Sequence, residues 1–226
     1  MTSSTLKISV LIPAYQSADS LPVLLPQIKT EFFFEDILVV DDGSTDRTSE
    51  IAELANCRFF RTEKNQGKGA AIRKGLDLLS GSDWVICMDS DLQHDPKELH
   101  SFLSAIQTNE YDLIIGHRHL HHTSMPITRQ ISNFLTSKLI RFRLGHKVPD
   151  SQCGYRAIRM SGDVSKNCKE TGYMFETEYL IKSSLSKRRI TWIPVKTIYN
   201  SSKSYLRPWV NTQKFITLWF RSFFWN

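Results

Sequence analysis

A chain of 226 residues with 29 Lys and Arg against 23 Asp and Glu carries a formal charge of +6, and 41% of it is hydrophobic. That composition is globular, long enough for a real core, and excludes a disordered tail; with only a modest basic excess and no RNA or DNA motif, no nucleic-acid partner is expected. Four cysteines, at 57, 87, 153 and 168, form no C-x-x-C pair, so reduced thiols are expected rather than a disulfide scaffold or a structural zinc site.

Short apolar runs alternate with helix-period segments through the first half, the pattern of βαβ units on a parallel sheet. Strands are expected at Ile8–Ile12, Ile37–Val40, Arg58–Phe60, Trp84–Met88 and Leu113–Ile115. About four helices fit between them. Asp46 is placed to cap a helix running to Ala55, Gly67–Leu79 has helical spacing of Ala70, Ala71, Leu76 and Leu79, and Asp95-Pro96 pairs an N-cap with proline at the first helical position. After Arg118 the expected elements are a helix over Pro126–Arg141, a strand at Tyr155–Ile158, a helix over Phe175–Ser186 and a strand at Ile190–Val195. Nine of the 25 aromatic residues fall between Tyr199 and Trp225, and Pro208–Asn226 reads as an amphipathic helix too short and too polar to span a bilayer. It is expected either to lie on a membrane surface or to pack on the protein. No run reaches the ~18–20 apolar residues of a membrane span, and Met1–Lys7 lacks the pattern of a secretory leader, so a cytoplasmic location is expected, peripheral on a membrane.

The residues just beyond the strands are chemically distinctive: Pro13-Ala14-Tyr15, Asp41-Asp42, Asp89-Ser90-Asp91 and Gly116-His117-Arg118. In a parallel sheet these share the carboxyl edge, where ligands of open α/β sheets bind. Acidic residues in such turns also serve as caps, and each cluster alone has that second reading. Asp89 and Asp91, with Gln93 two residues on, offer hard oxygen ligands of the kind that hold Mg²⁺ or Mn²⁺ against a substrate phosphate. Gly67-Lys68-Gly69 is neither a dinucleotide fingerprint nor a Walker loop; Lys68 is either solvated or a donor-phosphate contact. The histidines at 117, 119, 121 and 122 read as a solvated loop rather than a metal site.

Five segments in order, Ile8–Tyr15, Ile37–Asp46, Asn65–Ala71, Asp89–Pro96 and Asp150–Arg156, resemble family 2 glycosyltransferases, in particular the branch of dolichol- and polyprenyl-phosphate mannose or glucose synthases. The resemblance runs from Ile8 to about Tyr199. It implies a GT-A fold, an α/β architecture with a mostly parallel sheet, as a catalytic domain over residues 1–200 followed by the aromatic segment 201–226. It also implies transfer of a hexose, with inversion, from a UDP- or GDP-sugar to a lipid phosphate, with Mg²⁺ or Mn²⁺ as cofactor. Carried over position by position, Pro13, Tyr15, Asp41, Asp42, Lys68 and Asp89 fall on the nucleotide side. Asp89, Asp91 and Gln93 match the metal motif. Asp91, Arg118, Arg129 and Asp150 match catalytic positions, and Ser132, Asn133, Tyr155, Arg156 and Glu178 the acceptor side; Glu176 shares the helix start with Glu178. Where members of this branch commonly have Asn-Glu after Pro-x-Tyr, this chain has Gln16-Ser17, which leaves uridine and guanosine donors both open.

An anionic acceptor needs no general base, whereas a hydroxyl acceptor does, and Asp150 is the candidate for that role. A receiver-like, magnesium-dependent phosphotransfer domain is the competing class, but its acid pair belongs after the first strand, where Pro13-Ala14-Tyr15 stands. The oligomeric state is left open.

Overall fold

The computed structural model describes residues 6–31, 34, 36–118, 127–196, 198 and 208–225, the side chains at 31, 127–133 and 208–211 lying outside that description. Seven strands form one sheet in the order β3-β2-β1-β4-β6-β5-β7. The strands are β1 (Ile8–Ala14), β2 (Asp36–Asp41), β3 (Arg58–Arg61), β4 (Trp84–Cys87), β5 (Leu113–Arg118), β6 (Arg156–Arg159) and β7 (Ile190–Val195). β1 to β4 are mutually parallel, and β5 is parallel to β7. β6 runs antiparallel to both its neighbours, β4 and β5. Its N-terminal residue, Arg156, stands opposite Cys87 of β4 and Ile115 of β5. The turn leading into β6 therefore arrives at the carboxyl edge of β4 and β5, which is how residues 150–155 join loops that precede them by more than thirty positions.

The α-helices are α1 (Leu21–Glu31), α2 (Thr48–Leu54), α3 (Lys68–Leu78), α4 (Leu99–Gln107), α5 (Ile127–Leu144), α6 (Phe175–Leu185) and α7 (Pro208–Ser222). β1, β2 and β4 read as near-continuous apolar runs because both faces of this part of the sheet are covered. α1 is the helix most easily missed in the sequence, since Pro26 sits inside it. It forms because Leu21, Leu24, Leu25 and Ile28 recur at i, i+3, i+4 and i+7 and are all at most 1% exposed. Asp95 caps the start of the Pro96–Glu98 turn by accepting the Lys97 N–H at 3.0 Å. All four cysteines are buried free thiols. No helix among the described residues is long and apolar enough to cross a membrane.

α7 packs through Phe215 and Leu218, which are 5% and 1% exposed, while Ile216 and Phe220 face outward. The segment therefore packs on the protein through one side, while apolar side chains also stand on its outer side.

Candidate active site

The loops after β1 and β2 are fixed by their own side chains. Asp41 accepts the Ser44 N–H through Oδ1 at 2.9 Å, and its other oxygen accepts the Ser49 hydroxyl. Asp42 accepts the Gln66 and Gly67 N–H groups at 2.8 and 2.7 Å, so it anchors the Asn65–Gly67 loop. Gly67 has φ of 101°, a conformation that suits glycine, and a Cβ there would strike the Thr171 carbonyl oxygen. The N-terminus of α3 is thereby covered by the 171–175 turn, with the Ala70 N–H donating to the Thr171 carbonyl at 3.0 Å. Pro13 is buried in β1 beside Val40, and Tyr15 beyond it is exposed. Gln16 takes a left-handed φ of 52°, from which its N–H donates to Ser44 Oγ and its amide to Thr45 Oγ1.

At the end of β4 the charges concentrate. The Lys68 ammonium sits 2.6 Å from Asp89 Oδ1 and 2.8 Å from Glu176 Oε1, and all three side chains are largely buried. Although burial opposes charging, the two carboxylates raise the Lys68 pKa well above its ordinary value. Against the same burial, Lys68 and nearby cations hold Asp89 below the usual carboxylate range. Asp91 is shifted the other way: burial and the adjacent Asp89 charge push its carboxyl up, even though it accepts the Gln93 N–H at 3.0 Å. Leu92 between them has φ of 61°, rare for a branched side chain and a mark of local strain. Ser90 meets Ser17 Oγ to Oγ at 2.8 Å, tying this loop to the one after β1.

His94, not among the residues expected at the site, lies beneath it. It is buried, stacks on Tyr155 at 4.8 Å, and its Nδ1 accepts the Asp89 N–H at 3.3 Å. Burial lowers its pKa to about 4, so it is neutral at physiological pH and supports the backbone at Asp89. Gly154, in the Asp150–Arg156 segment, lies against Asp89 and Lys68, an approach no local pattern reveals. A Cβ at this position would lie 2.6 Å from Asp89 Oδ2 and 2.8 Å from Lys68 Nζ. Gly154→Ala should therefore pry the ion pair apart, costing about 1–3 kcal/mol and at least roughly tenfold in activity; thermal melting and turnover measured on the same variant check it.

Arg118, at the end of β5, forks onto Asp150, Nε to Oδ2 at 2.7 Å and Nη2 to Oδ1 at 3.0 Å. Asp150 is 1% exposed, and despite that burial the guanidinium keeps its carboxyl below the usual range. It also accepts the Gln152 N–H of its own turn at 3.0 Å.

Three residues expected on the acceptor side are built into the frame. Arg156 is 3% exposed and donates to the carbonyls of Cys153, Glu176 and Ser151. Tyr155 is fully buried between His94 and Phe102. Glu178 accepts the Lys169 and Glu170 N–H groups, both at 2.7 Å, and pairs with Lys182, so it holds the loop before α6. Glu176, two residues earlier and thus about 200° around the helix, is the one that reaches Lys68. The side chains of Arg129, Ser132 and Asn133 and the histidines at 119, 121 and 122 lie outside the described residues.

Asp89, Asp91 and Glu176 against one ammonium leave the cluster short of positive charge. Among the described residues no three His, Cys, Asp or Glu side chains converge as a ready metal cage. The donor set fits a hard divalent ion that takes one or two carboxylates from the protein and the rest of its shell from phosphate and water.

Residues 9–163 match the family described as Glycosyl transferase family 2. The chain is 30% identical over 205 residues to the undecaprenyl-phosphate mannosyltransferase of Micrococcus luteus, covering 84% of this chain and 83% of that one. It is 31% identical over 200 residues to an uncharacterized protein of Methanocaldococcus jannaschii, with coverage of 85% and 82%. Among solved structures, glucosyl-3-phosphoglycerate synthase from Mycobacterium tuberculosis in complex with Mn²⁺, uridine diphosphate and phosphoglyceric acid superposes with a TM-score of 0.75 at 21% identity, over 96% of this chain and 78% of that one. The sheet order, the charged carboxyl edge and the match over most of its length together show that this chain has the GT-A fold and belongs to glycosyl transferase family 2.

Proposed function

We propose that this protein transfers a hexose from a nucleoside-diphosphate sugar to a polyprenyl phosphate. The observation that carries the choice of acceptor is the state of Asp150. A hydroxyl acceptor requires a carboxylate ready to take a proton. Asp150 is instead locked in a two-point ion pair with Arg118, with its pKa lowered, which makes it a poor base. A phosphate oxygen is already anionic and needs orientation and charge neutralisation alone. The M. luteus relative, named for an undecaprenyl-phosphate acceptor, supports the same reading.

In this reading the donor nucleotide lies against Tyr15, just beyond the buried Pro13, on a loop that Gln16 ties to Ser44 and Thr45, with Asp41 and Asp42 fixing the loops beside it. Asp91, with Asp89 and Gln93, would hold a divalent cation, which when bound neutralises charge on the leaving diphosphate. Lys68 keeps Asp89 ionised and in position from the protein side. Arg118, oriented by Asp150, presents its guanidinium to the entering phosphate. The phosphate oxygen attacks the anomeric carbon as the nucleoside diphosphate departs, which gives inversion.

Incubating the protein with Mn²⁺, UDP-glucose or GDP-mannose, and either a polyprenyl phosphate or the matching polyprenol tests this. Nucleoside diphosphate release that depends on the polyprenyl phosphate is expected. Equal turnover on the polyprenol would return Asp150 to the role of general base and overturn the phosphate-acceptor reading.

A further inference from the structure

The elements around the site leave a second surface that the transferase chemistry does not use. α5 has its inner side tied to the site: the Ser151 N–H donates to Ser137 Oγ at 3.2 Å and the Gln152 amide to Thr136 Oγ1 at 3.3 Å, next to Asp150. Its outer side presents Phe134, Leu135, Leu139 and Phe142, with Phe134 59% and Phe142 74% exposed. α7 lies alongside and turns out Ile216 and Phe220, and the turn that follows it adds Phe223 and Phe224, the last 85% exposed. Trp219 joins the two sets. Its Nε1 donates to the Leu139 carbonyl at 2.9 Å, and its ring lies 6.4 Å from Phe142 and 5.0 Å from both Phe220 and Phe223. The apolar surface is thus continuous across two helices, of a kind that soluble monomers rarely leave uncovered.

Charge identifies what covers it. α5 carries Arg129, Lys138, Arg141 and Arg143, α7 carries Lys214 and Arg221, and neither helix contains an Asp or Glu. Lys138, exposed in the middle of the apolar stripe, lays its ammonium over the Phe134 ring at 5.9 Å, so the stripe carries a positive charge among its aromatic side chains. Arg221 is paired with Glu170, an acid outside both helices. Exposed aromatics set among cations, with no acid on either helix, are complementary to a lipid surface bearing anionic headgroups.

We propose that the outer faces of α5 and α7 form a single docking surface for an anionic lipid bilayer. The proposal extends the lipid-phosphate reading above: α5 lies between the bilayer and the Asp150 turn, which places the Arg118–Asp150 pair about one helix diameter, roughly 10 Å, from the lipid. The surface itself is defined without reference to any reaction.

The test is co-sedimentation of the full chain with phosphatidylcholine vesicles with and without phosphatidylglycerol, in the absence of sugar nucleotide. Binding that requires phosphatidylglycerol is expected. Leu135→Gln with Phe142→Gln on α5, and Phe220→Gln with Phe224→Gln on α7 and the turn after it, should each weaken it roughly tenfold, as should Lys138→Glu with Arg141→Glu. Circular dichroism melting should stay within a few degrees of wild type, since these side chains face outward. The proposal is overturned if the wild type does not bind vesicles or binds neutral and anionic ones equally. It is equally overturned if the α5 variants leave binding intact, or if the apolar variants only convert a dimer to a monomer in light scattering. Transfer to a short-chain, water-soluble polyprenyl phosphate separates the two readings. Loss of vesicle binding by the α5 and α7 variants with that transfer intact supports the docking surface, and vesicle binding by a wild type that transfers to no polyprenyl phosphate overturns the acceptor assignment alone.

Discussion

Lys68→Met should lower the melting temperature by roughly 6–20 °C. The substitution keeps an unbranched side chain as far as Cε and removes the ammonium that faces both Asp89 and Glu176. Breaking a buried ion pair from one side costs about 3–5 kcal/mol, because the carboxylates left behind are uncompensated, and each kcal/mol is worth about 2–4 °C in a domain of this size. The pH dependence has a definite sign. In the wild type Asp89 titrates below its unfolded value, so its contribution is present above about pH 4 and is lost as pH falls through the lowered value. In the variant Asp89 loses the ammonium that holds its carboxyl down, so the deficit is full at neutral pH and shrinks as the pH is lowered and Asp89 protonates. Adding Glu176→Gln should recover part of the loss. A melting temperature within 2 °C of wild type for Lys68→Met would show that the ammonium does not hold the cluster together.

Asp91→Asn should have the opposite profile, a large loss of activity on an intact fold. Asp91 is the carboxylate whose ionised form the fold disfavours, through burial and the charge of Asp89, so neutralising it leaves stability unchanged or slightly higher. Activity should fall about 10²–10³-fold, the scale of losing one preorganised charge at a reacting centre. Calorimetric titration of Mn²⁺ in the presence of nucleoside diphosphate should show weakened binding in parallel. Retention of more than a third of wild-type turnover, or full turnover in EDTA, would remove Asp91 from the site.

These two residues also show how far the sequence reaches. The strand-end position of Asp89 and Asp91 is legible because the βαβ rhythm places the end of each strand at one edge, and the structure has both where that rhythm puts them, just beyond β4. The Lys68 pairing is not legible, because it joins residues from α3, the β4 loop and α6 that no local pattern relates. The same limit explains Glu176 and Glu178. Both are acidic and two positions apart at a helix start, and only the rotational setting of α6 against α3 decides which one faces Lys68. α1 is hidden because Pro26 weakens a helical reading, while burial of four apolar residues on one face outweighs its missing N–H. β6 is readable as a strand, but four residues, Arg-Ala-Ile-Arg, carry no signal of direction.

That direction has a consequence for the order in which the chain acquires its structure during synthesis. β1 to β4 pair among themselves and can form a four-stranded sheet from the first 87 residues. β5 pairs only with β6 and β7, so it emerges with nothing to bind until residues 156–159 have been made, and until then β4 presents an open edge. The nucleotide-side loops mature early and locally. The Asp89 cluster, by contrast, waits for Gly154 and Glu176, contacts of long sequence separation that close slowly. The insertion of β6 thus covers the open edge of β4 and brings Gly154 to the Asp89 loop, while the third member of the ion cluster arrives later with α6, so the nascent chain closes that edge before its charged site is complete.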